Sequence, residues 1–401
     1  MKRKDFEYTI HEQTISDPYA WLKDKADPEV AAYLESENAY AEAVMKPTEA
    51  LQQELYDEIY GRSEANDNLR GSGGDDYIDG RGGINTIAFN DSASGIHVDL
   101  LHNLVLNDGI FIAALGRHGI DTLLNIHNVN GSDWNDLIIG DGAANHRQGG
   151  LGNDTLLGGA GGDELRGGPG DDYLVSGGAT AMFDTVNNSY LFFEQDRLEG
   201  NAGNDTLVAT GGDVMMFGGP GDDTILSVDD GSYFDFIRVS YRSSPAGIVV
   251  GMNGEGGLTV QDGFGGTDTV WRVHVLHDSP FDDTITLDST YQTSFGNFLE
   301  IRLSSGDDIV TFDGGIVGRI SYRGAGGAVW ADLALGTATD LNPGDSFIGT
   351  DTFFGTVGVL RGSEFGDELY GTAGNDEIRG EGGDDFIDGR DGIDMIRFSG
   401  S

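Results

Sequence analysis

Short aliphatic strands separated by polar, glycine-rich turns recur along the chain after residue 61. The clearest unit reads Gly149-Gly-Leu-Gly-Asn-Asp154-Thr-Leu156, and the units 158–166 and 167–175 repeat its pattern. Each has Gly at positions 1, 2 and 4, Asp at position 6 and an aliphatic residue at position 8. Gly tolerates the positive φ angles of tight turns, and a three-residue strand can bury its middle residue. The pattern therefore predicts stacked turns and strands around a narrow aliphatic core.

The residues predicted to form this core all occupy position 8 of a unit. They are Ile78, Ile138, Leu156, Leu165, Leu174, Leu207, Ile225, Leu369, Ile378, Ile387 and Ile396. Strands this short, separated by turns of constant length, favour a mostly β fold. We expect a parallel β-roll, similar to a β-helix, that is interrupted by strand-rich inserts and preceded by a short two-helix N-terminal segment.

The units fall into four blocks that define the predicted domain organisation. The blocks are residues 62–88, 131–175, 176–226 (which includes a lead-in) and 362–401, and the strand-rich inserts are residues 89–130 and 227–361. Within the inserts an alternating strand recurs, as in Gly95-Ile-His-Val, and each time a turn such as Gly119-Ile-Asp121-Thr follows it. We interpret the inserts as widened turns of one solenoid and not as separate catalytic domains.

Candidate metal ligands lie at position 6 and at the glycines of these turns. The Asp carboxylate points into a turn where Gly carbonyls converge, and hard oxygens suit Ca²⁺, which accepts about 6–8 of them at roughly 2.3–2.6 Å. The predicted ligands are Asp76, Asp136, Asp154, Asp163, Asp172, Asp205, Asp223, Asp367, Asp376, Asp385 and Asp394, with Gly149, Gly152, Gly158, Gly161, Gly167, Gly170, Gly218, Gly221, Gly371, Gly374, Gly380 and Gly383.

In a two-sided roll, one ion would lie between units that are 18 residues apart. This spacing pairs Asp136 with Asp154, Asp154 with Asp172, Asp205 with Asp223, Asp367 with Asp385 and Asp376 with Asp394. Units that have Asn85, Asn145 or Val214 at position 6, or Arg147 at position 8, are expected to be structural turns that bind metal weakly or not at all. Solvated Gly-Asp turns without any metal are the other interpretation, which so many turns in register disfavour.

The nonapeptide resembles the repeat of RTX (hemolysin-type) calcium-binding proteins. The resemblance covers residues 62–401 and implies several Ca²⁺ ions, an extracellular location and export by a type I secretion system. No apolar segment typical of a signal peptide follows Met1. The C-terminal signal that such export implies is not found after the last unit, so the chain is either a fragment or is exported differently.

Composition adds a requirement for cations. The chain has 401 residues, a formal net charge of −45 and no Cys, and 64 of its 65 Gly residues follow Gly61. Such a charge on a glycine-rich segment opposes compaction by self-repulsion, so we expect disorder without calcium and folding with it. It also argues against nucleic acid or anionic membranes as partners. No apolar run approaches the ~18 residues of a membrane span.

Residues 1–61 differ from the rest. Asp27-Pro28-Glu29 predicts a helix start, and Pro47 is predicted to begin a second helix that ends at Gly61. Asp17-Pro-Tyr-Ala-Trp-Leu22, together with Glu37-Asn-Ala-Tyr40, resembles the start of the oligopeptidase B branch of the prolyl oligopeptidase family. That family is one of serine hydrolases, whose nucleophile lies on a Gly-x-Ser-x-Gly turn. No Ser of this chain has Gly on both sides at that spacing, so we expect a remnant without a catalytic domain.

The sequence thus predicts a non-enzymatic, secreted RTX repeat protein that binds calcium ions and folds when it does so. Two alternatives stay open. One is a truncated serine peptidase of the prolyl oligopeptidase family. The other is a calcium-dependent adhesion or surface-layer module, whose inserts would bind a cell-surface or polysaccharide partner.

Overall fold

The computed structural model divides the chain into two compact units, Met1–Glu64 and Ala65–Ser401. The structure describes residues 7–10, 13–16, 28–46, 67–71, 74–107, 111–112, 117–177, 182–184, 189–191, 195–228, 236–291, 299–342, 344 and 347–397.

The N-terminal unit contains a hairpin and a helix among its described residues. Strands Glu7–Ile10 and Gln13–Ser16 pair in antiparallel fashion, which the sequence analysis did not predict. The helix spans Pro28–Met45 and so begins at the predicted proline, whose fixed φ suits a first helical position. Within the helix, the Val30 side chain is buried, whereas Leu34 is half exposed. The predicted second helix lies outside the described residues, so a two-helix segment is not confirmed.

In the C-terminal unit, one sheet is entirely parallel and is called here the parallel sheet. Each of its strands from Asn68–Leu69 to Glu377–Arg379 is followed, through a turn, by a strand of the other sheet. In order, its strands are Asn68–Leu69, Thr86–Ala88, Asn128–Asn130, His146–Gln148, Glu164–Pro169, Gln195–Ala202, Asp213–Phe217, Phe236–Ser240, Val275–His277, Glu300–Arg302, Val317–Ser321, Thr356–Arg361, Glu377–Arg379 and Met395–Arg397.

The second sheet, called the hairpin sheet, mixes parallel and antiparallel pairs. Its strands, from one neighbour to the next, are Tyr77–Asp79, Asp121–Leu124, Leu104–Asn107, His97–Asp99, Leu137–Ile139, Thr155–Leu157, Tyr173–Val175, Thr206–Ala209, Thr224–Ser227, Thr267–Trp271, Leu258–Gln261, Val249–Met252, Thr284–Leu287, Ile309–Phe312, Thr350–Phe354, Thr337–Asp340, Val329–Asp332, Glu368–Tyr370 and Phe386–Asp388. Two small hairpins lie outside both sheets, Phe111–Ile112 with Arg117–His118 and Met182–Asp184 with Ser189–Leu191.

The antiparallel strands of the hairpin sheet come from the inserts. Val249–Met252 runs antiparallel to Leu258–Gln261, which in turn runs antiparallel to Thr267–Trp271. The two outer strands of this trio pair in parallel with Thr284–Leu287 and Thr224–Ser227. An insert therefore adds two strands to the sheet and leaves its polarity unchanged, which supports the interpretation of the inserts as widened turns of one solenoid.

The core lies between the two sheets and is built largely from position 8. Ile138, Leu156, Leu165, Leu174, Leu207, Ile225, Leu369 and Ile378 have no exposed surface, and Ile78 is 9% exposed. Two of the predicted core residues near the C-terminus depart from this. Ile387 is only partly buried, and the prediction for Ile396 is wrong, because its side chain is 42% exposed. Among the described strands, its strand pairs only with Glu377–Arg379.

Candidate metal centre

The Asp residues at position 6 stack in rows, called together here the carboxylate ladder. In each step, the backbone N–H of one Asp donates to Oδ1 of the Asp one turn further on. Asp136 donates to Asp154 at 2.8 Å, and Asp154 donates to Asp172 at 2.7 Å. Because the strands stack in register, the carboxylates of successive turns lie on top of one another. The predicted pairing at 18 residues is therefore the pairing that the structure has.

The same backbone-to-carboxylate hydrogen bond recurs in other turns of the roll. The further steps of the ladder are Asp172–Asp205 and Asp205–Asp223, then Asn145–Asp163 and Asp163–Asp196 on the other side of the roll, and Asp367–Asp385 and Asp376–Asp394 in the last block. Asp196 was not among the predicted ligands, although it has the same geometry. Asp76 donates to Asp121 of the first insert at 2.9 Å.

The other carboxylate oxygen of many ladder residues is buried without a hydrogen-bond donor. This holds for Oδ2 of Asp154, Asp163, Asp172, Asp196, Asp205 and Asp223. A buried carboxylate oxygen that lacks a partner is costly unless a cation or a proton neutralises it. These oxygens are the strongest structural indication that the turns can hold a cation.

Burial also raises the pKa of these carboxyls. Desolvation is the largest cause in each case, and it raises the pKa of Asp154 to about 7 and that of Asp172 and Asp223 to about 8. The charges of neighbouring ladder residues add to the effect, as Asp205 and Asp154 do at Asp172. The ladder thus places buried carboxylates close together, and bound protons or cations would neutralise their negative charge.

The position-1 glycines leave the space in which these oxygens lie. A Cβ on Gly149 would collide with Asp154 Oδ2 and would lie 2.7 Å from the carbonyl oxygen of Gly167. The same clash with the carboxylate of the unit's own Asp occurs at Gly158, Gly167, Gly218, Gly371 and Gly380. Each such space is therefore bordered by a carboxylate oxygen of its own turn. At Gly149 it is also bordered by a carbonyl of the next turn, a donor set that fits Ca²⁺.

Most position-4 glycines have a different reason to be glycine. Gly152, Gly161, Gly170, Gly221 and Gly383 have positive φ angles, and a Cβ on any of them would contact the backbone of the neighbouring turn closely. Gly374 differs from this group: its φ is not positive, and only Thr372 Oγ1, at 3.4 Å, lies near its Cβ position. The structure gives Gly374 no close contact with a ladder carboxylate.

A second class of ladder residue is capped by a hydroxyl. Ser132 donates from both N–H and Oγ to the Asp136 carboxylate, at 2.6 and 2.7 Å. Ser363 donates to Asp367 in the same way, from N–H and Oγ. Thr372 donates to Asp376 from N–H and Oγ1. These three predicted ligands already have donors for both oxygens, whereas Asp154 and Asp172 each have one oxygen without a donor. The Ser or Thr that replaces Gly at position 2 is the sequence signal for this difference.

The last predicted ligands are more open to solvent. Asp385 and Asp394 each accept a ladder hydrogen bond at 3.0 Å but are only partly buried, as is Asp76 in the first block. Their carboxylates are therefore better hydrated than those in the middle of the roll. The structure brings every predicted Asp onto the ladder, and it separates them into buried, capped and partly exposed groups.

In the unit that contains Asn145 and Arg147, the arginine side chain fills the space inside the turn. The Arg147 side chain is fully buried, its guanidinium donates to Asn145 Oδ1, and it lies beside the Asp163 carboxylate. A Cβ on Gly140 would collide with that guanidinium and with the Gly158 carbonyl oxygen. The guanidinium therefore occupies the space that position-1 glycines leave beside a carboxylate in the following turns.

The inserts also contribute to the ladder, which the sequence analysis missed. Asp223 donates to Asp268 at 3.0 Å, and Asp308 donates to Asp351 at 3.1 Å. Asp268 and Asp351 belong to the Gly-Thr-Asp-Thr turns of the inserts. That motif was the available signal, but the intervening hairpin places these residues more than 40 positions from their partners and so hides their register.

Comparison with known protein families agrees with this geometry. Residues 63–87, 148–179, 196–227 and 361–396 match the model of the RTX calcium-binding nonapeptide repeat. The chain carries RTX calcium-binding repeats. All the predicted Asp ligands except Asp136 lie within these RTX segments. RTX repeats are typical of secreted proteins, and none of the described helices is long and apolar enough to cross a membrane.

The N-terminal residues have a separate relationship. Residues 1–68 match the N-terminal β-propeller domain model of prolyl oligopeptidase. The chain is 45% identical over 53 residues to Uncharacterized peptidase y4qF of Sinorhizobium fredii, covering 13% of the chain and 7% of that protein. It is 42% identical over 59 residues to Dipeptidyl aminopeptidase BI of Pseudoxanthomonas mexicana, covering 14% of the chain and 8% of that protein. The chain thus spans less than a tenth of the length of these peptidases.

Proposed function

We propose that this chain is a secreted RTX protein whose β-roll folds when Ca²⁺ binds in the turns of the carboxylate ladder. The observation that supports the proposal best is the row of buried, unpartnered Oδ2 atoms at Asp154, Asp172, Asp205 and Asp223. Each of these oxygens faces the space left by a position-1 glycine. Calcium would supply the positive charge that these oxygens lack, and the aliphatic residues of the core could then pack.

Because the chain carries a large negative charge, calcium binding would be coupled to folding. A net charge of −45 opposes any compact state through self-repulsion. A ligand that binds only the folded state stabilises that state by mass action. Extracellular calcium modules are typically tuned to about 10⁻⁴–10⁻³ M Ca²⁺, so folding would follow export from a calcium-poor cytosol. For the export itself, we propose the type I route that RTX repeats imply.

The N-terminal unit has a minor place in this proposal. Its relatives are peptidases, but the match covers only residues 1–68. We propose that this unit is an inherited or fused segment without peptidase activity. A peptidase assay on short basic peptides would test this, and hydrolysis above that of a buffer control would favour the truncated-peptidase alternative.

Far-UV circular dichroism during a calcium titration of EGTA-treated protein tests the main proposal. We expect a cooperative gain of β signal at sub-millimolar to millimolar Ca²⁺, and none with Mg²⁺, which demands a stricter octahedral geometry. Asp172→Asn should shift the calcium midpoint upward several-fold, whereas Asp133→Asn, at an exposed position outside the ladder, should not. A spectrum that is already β-rich in EGTA and unmoved by calcium would contradict the proposal.

A calcium-dependent adhesion module is the second candidate function, and one observation favours it. Trp330, Tyr370 and Phe386 form a row of rings with centroid separations of 6.1 and 5.6 Å, and Phe386 is 54% exposed. Rows of aromatic rings can contact sugar faces. Calcium-dependent retention on cell envelopes that Phe386→Ala abolishes would support this function, while retention unaffected by Phe386→Ala would count against it.

A further inference from the structure

Three acidic side chains meet in the second insert, outside the segments that match the RTX repeat. Asp278, Asp283 and Asp308 each place a carboxylate oxygen within 4.8 Å of those of the other two. Their side chains are buried, with 0%, 1% and 1% exposure. Among the described residues, this is the one group of three His, Asp or Glu side chains that converges so closely.

Two of these carboxylates are held in place by serines. Ser304 donates to Asp278 from N–H at 2.8 Å and from Oγ at 2.6 Å. Ser279 donates to Asp283 from N–H at 2.8 Å and from Oγ at 2.7 Å. Hydrogen bonds that orient carboxylates in this way are typical of the residues that surround metal ligands.

The third carboxylate has an oxygen without a donor. Asp308 Oδ1 accepts the backbone N–H of Asp283 at 2.9 Å, which continues the carboxylate ladder. Asp308 Oδ2 is buried and has no hydrogen-bond partner. An oxygen in this state is costly in a protein interior unless a cation or a proton is bound to it.

The surroundings supply no compensating positive charge. No Arg, Lys or His side chain in the described part of the chain forms an ion pair with Asp278, Asp283 or Asp308. Burial raises the pKa of Asp278 and Asp308 well above the usual range, and the charges of neighbouring Asp side chains raise it further. Asp351, whose Oδ2 accepts the Tyr322 hydroxyl at 2.7 Å, adds a fourth buried carboxylate beside Asp308.

This arrangement differs from the nonapeptide turns at one position. In those turns position 1 is Gly, and the space beside the position-6 carboxylate is free of side chains. In the unit that begins at residue 278, position 1 is Asp278 and position 6 is Asp283. The turn therefore adds a carboxylate where the repeat has only a backbone, and the next turn adds Asp308.

We propose that Asp278, Asp283 and Asp308 bind one Ca²⁺ ion in the second insert, in addition to the ions of the nonapeptide turns. Ser279 and Ser304 are positioning residues that orient two of the three carboxylates. Three anionic ligands give this site more negative charge than a nonapeptide turn, so it takes up calcium at a lower concentration than the ladder does. The bound ion fixes the insert to the turns that flank it.

Equilibrium dialysis of the full chain against ⁴⁵Ca²⁺ at saturating concentration tests the site. Asp308→Asn keeps the size of the side chain and the Oδ1 acceptor for Asp283, and it should bind one ion fewer per chain than the unmodified protein. Asp313→Asn, at an exposed position of the same insert, should bind the same number as the unmodified protein. An unchanged number in Asp308→Asn with an unmodified β spectrum would overturn the proposal and would mean that a shared proton neutralises the cluster.

A second variant decides the matter if Asp308→Asn does not fold. Asp278→Asn keeps the size of the side chain and a carbonyl acceptor for Ser304, and it should also lose one ion while retaining its β spectrum. Retention of all the ions would reject the site. The proposed function is tested separately by the variant Asp154→Asn/Asp172→Asn/Asp223→Asn. If that variant binds as many ions as the unmodified protein, the ladder sites fail, and loss of an ion in Asp278→Asn would still establish the insert site.

Discussion

The Arg147 guanidinium lies 3.4 Å from the Asp163 carboxylate, measured from Nη1 to Oδ1, and neither side chain is exposed to solvent. Asp163 is thus a predicted calcium ligand with a protein cation on one side. On the side of the next turn, the Asp163 N–H donates to Asp196 Oδ1 at 2.8 Å. The Asp163 Oδ2 atom has no hydrogen-bond donor. Asp163 therefore lies between a turn that contains a buried guanidinium and the turn of Asp196, whose Oδ2 also lacks a donor.

Converting this unit to the repeat consensus should create a calcium site. Asn145→Asp with Arg147→Leu removes the internal cation and supplies a position-6 carboxylate and a position-8 aliphatic residue. We expect the double variant to bind one more Ca²⁺ ion per chain and to need more calcium for half-maximal folding, because the arginine no longer neutralises Asp163. Equilibrium dialysis and circular dichroism measure the two effects.

Arg166→Leu provides the matched control for that variant. Arg166 lies on the strand that pairs with His146–Gln148, but its side chain is 43% exposed and forms ion pairs with Glu164 and Glu199. Exposed ion pairs contribute little to stability, so neither the number of bound ions nor the midpoint should change. If Arg166→Leu had the same effect as the double variant, net charge and not the filled turn would control calcium binding.

The position-1 glycines provide a second prediction. A Cβ at Gly167 would collide with Asp172 Oδ2, the oxygen assigned to calcium. We expect Gly167→Ala to raise the calcium midpoint at least several-fold and to lower the free energy of unfolding by about 1–3 kcal/mol, as overpacking does in a close-packed site. Urea unfolding at saturating calcium gives the second quantity.

Gly142→Ala is the control for that substitution. Gly142 lies in a turn of the same block, nothing lies within 4 Å of its Cβ position, and its φ is not positive. Its replacement should leave the midpoint unchanged and alter stability little, since Ala reduces the entropy of the unfolded chain. Equal losses for the two variants would show that backbone flexibility, and not the space beside the carboxylate, explains the glycines.

The sequence predicted the repeating part of this fold well because each unit is a local pattern. Leu156 and Leu174 are fully buried as position 8 requires, and the Asp residues 18 apart do stack. The pattern did not distinguish Asp136 from Asp154, because the capping by Ser132 depends on the side chain at position 2. Nor could periodicity locate Asp351, whose ladder partner is 43 residues away across a hairpin.

Two buried tyrosines support ladder residues of the inserts, which leads to a third prediction. Tyr322 donates its hydroxyl to Asp351 Oδ2 at 2.7 Å, and Tyr241 donates to Asp268 Oδ2 at 2.9 Å. Tyr322→Phe leaves a buried carboxylate oxygen without its donor and should destabilise the calcium-bound protein by about 1–3 kcal/mol in urea unfolding. Tyr291→Phe is the control, because that hydroxyl donates to the neutral Val273 carbonyl at 2.8 Å. If Tyr291→Phe lowered the free energy of unfolding as much as Tyr322→Phe, the charge of the carboxylate acceptor would not explain the effect.

The final prediction concerns pH in the absence of calcium. Burial raises the pKa of Asp154 to about 7 and that of Asp172 and Asp223 to about 8 in the folded chain. An unfolded Asp has a pKa of about 3.9, so between these values the folded state binds more protons than the unfolded state. The contribution of these groups to stability is therefore fully present below about pH 4 and is lost as the pH rises through about 7–8. Protons and calcium neutralise the same oxygens.

Calcium-free protein should accordingly gain β signal in far-UV circular dichroism when the pH is lowered from about 8 to about 5, and the calcium midpoint should rise over the same interval because protons compete with the ion. Asp154→Asn/Asp172→Asn/Asp223→Asn removes the three titrating groups, so its calcium-free spectrum should depend far less on pH. A calcium-free spectrum of the unmodified protein that is no richer in β structure at about pH 5 than at about pH 8 would mean that the buried carboxyls do not control folding. An unchanged midpoint would mean that calcium does not bind to them.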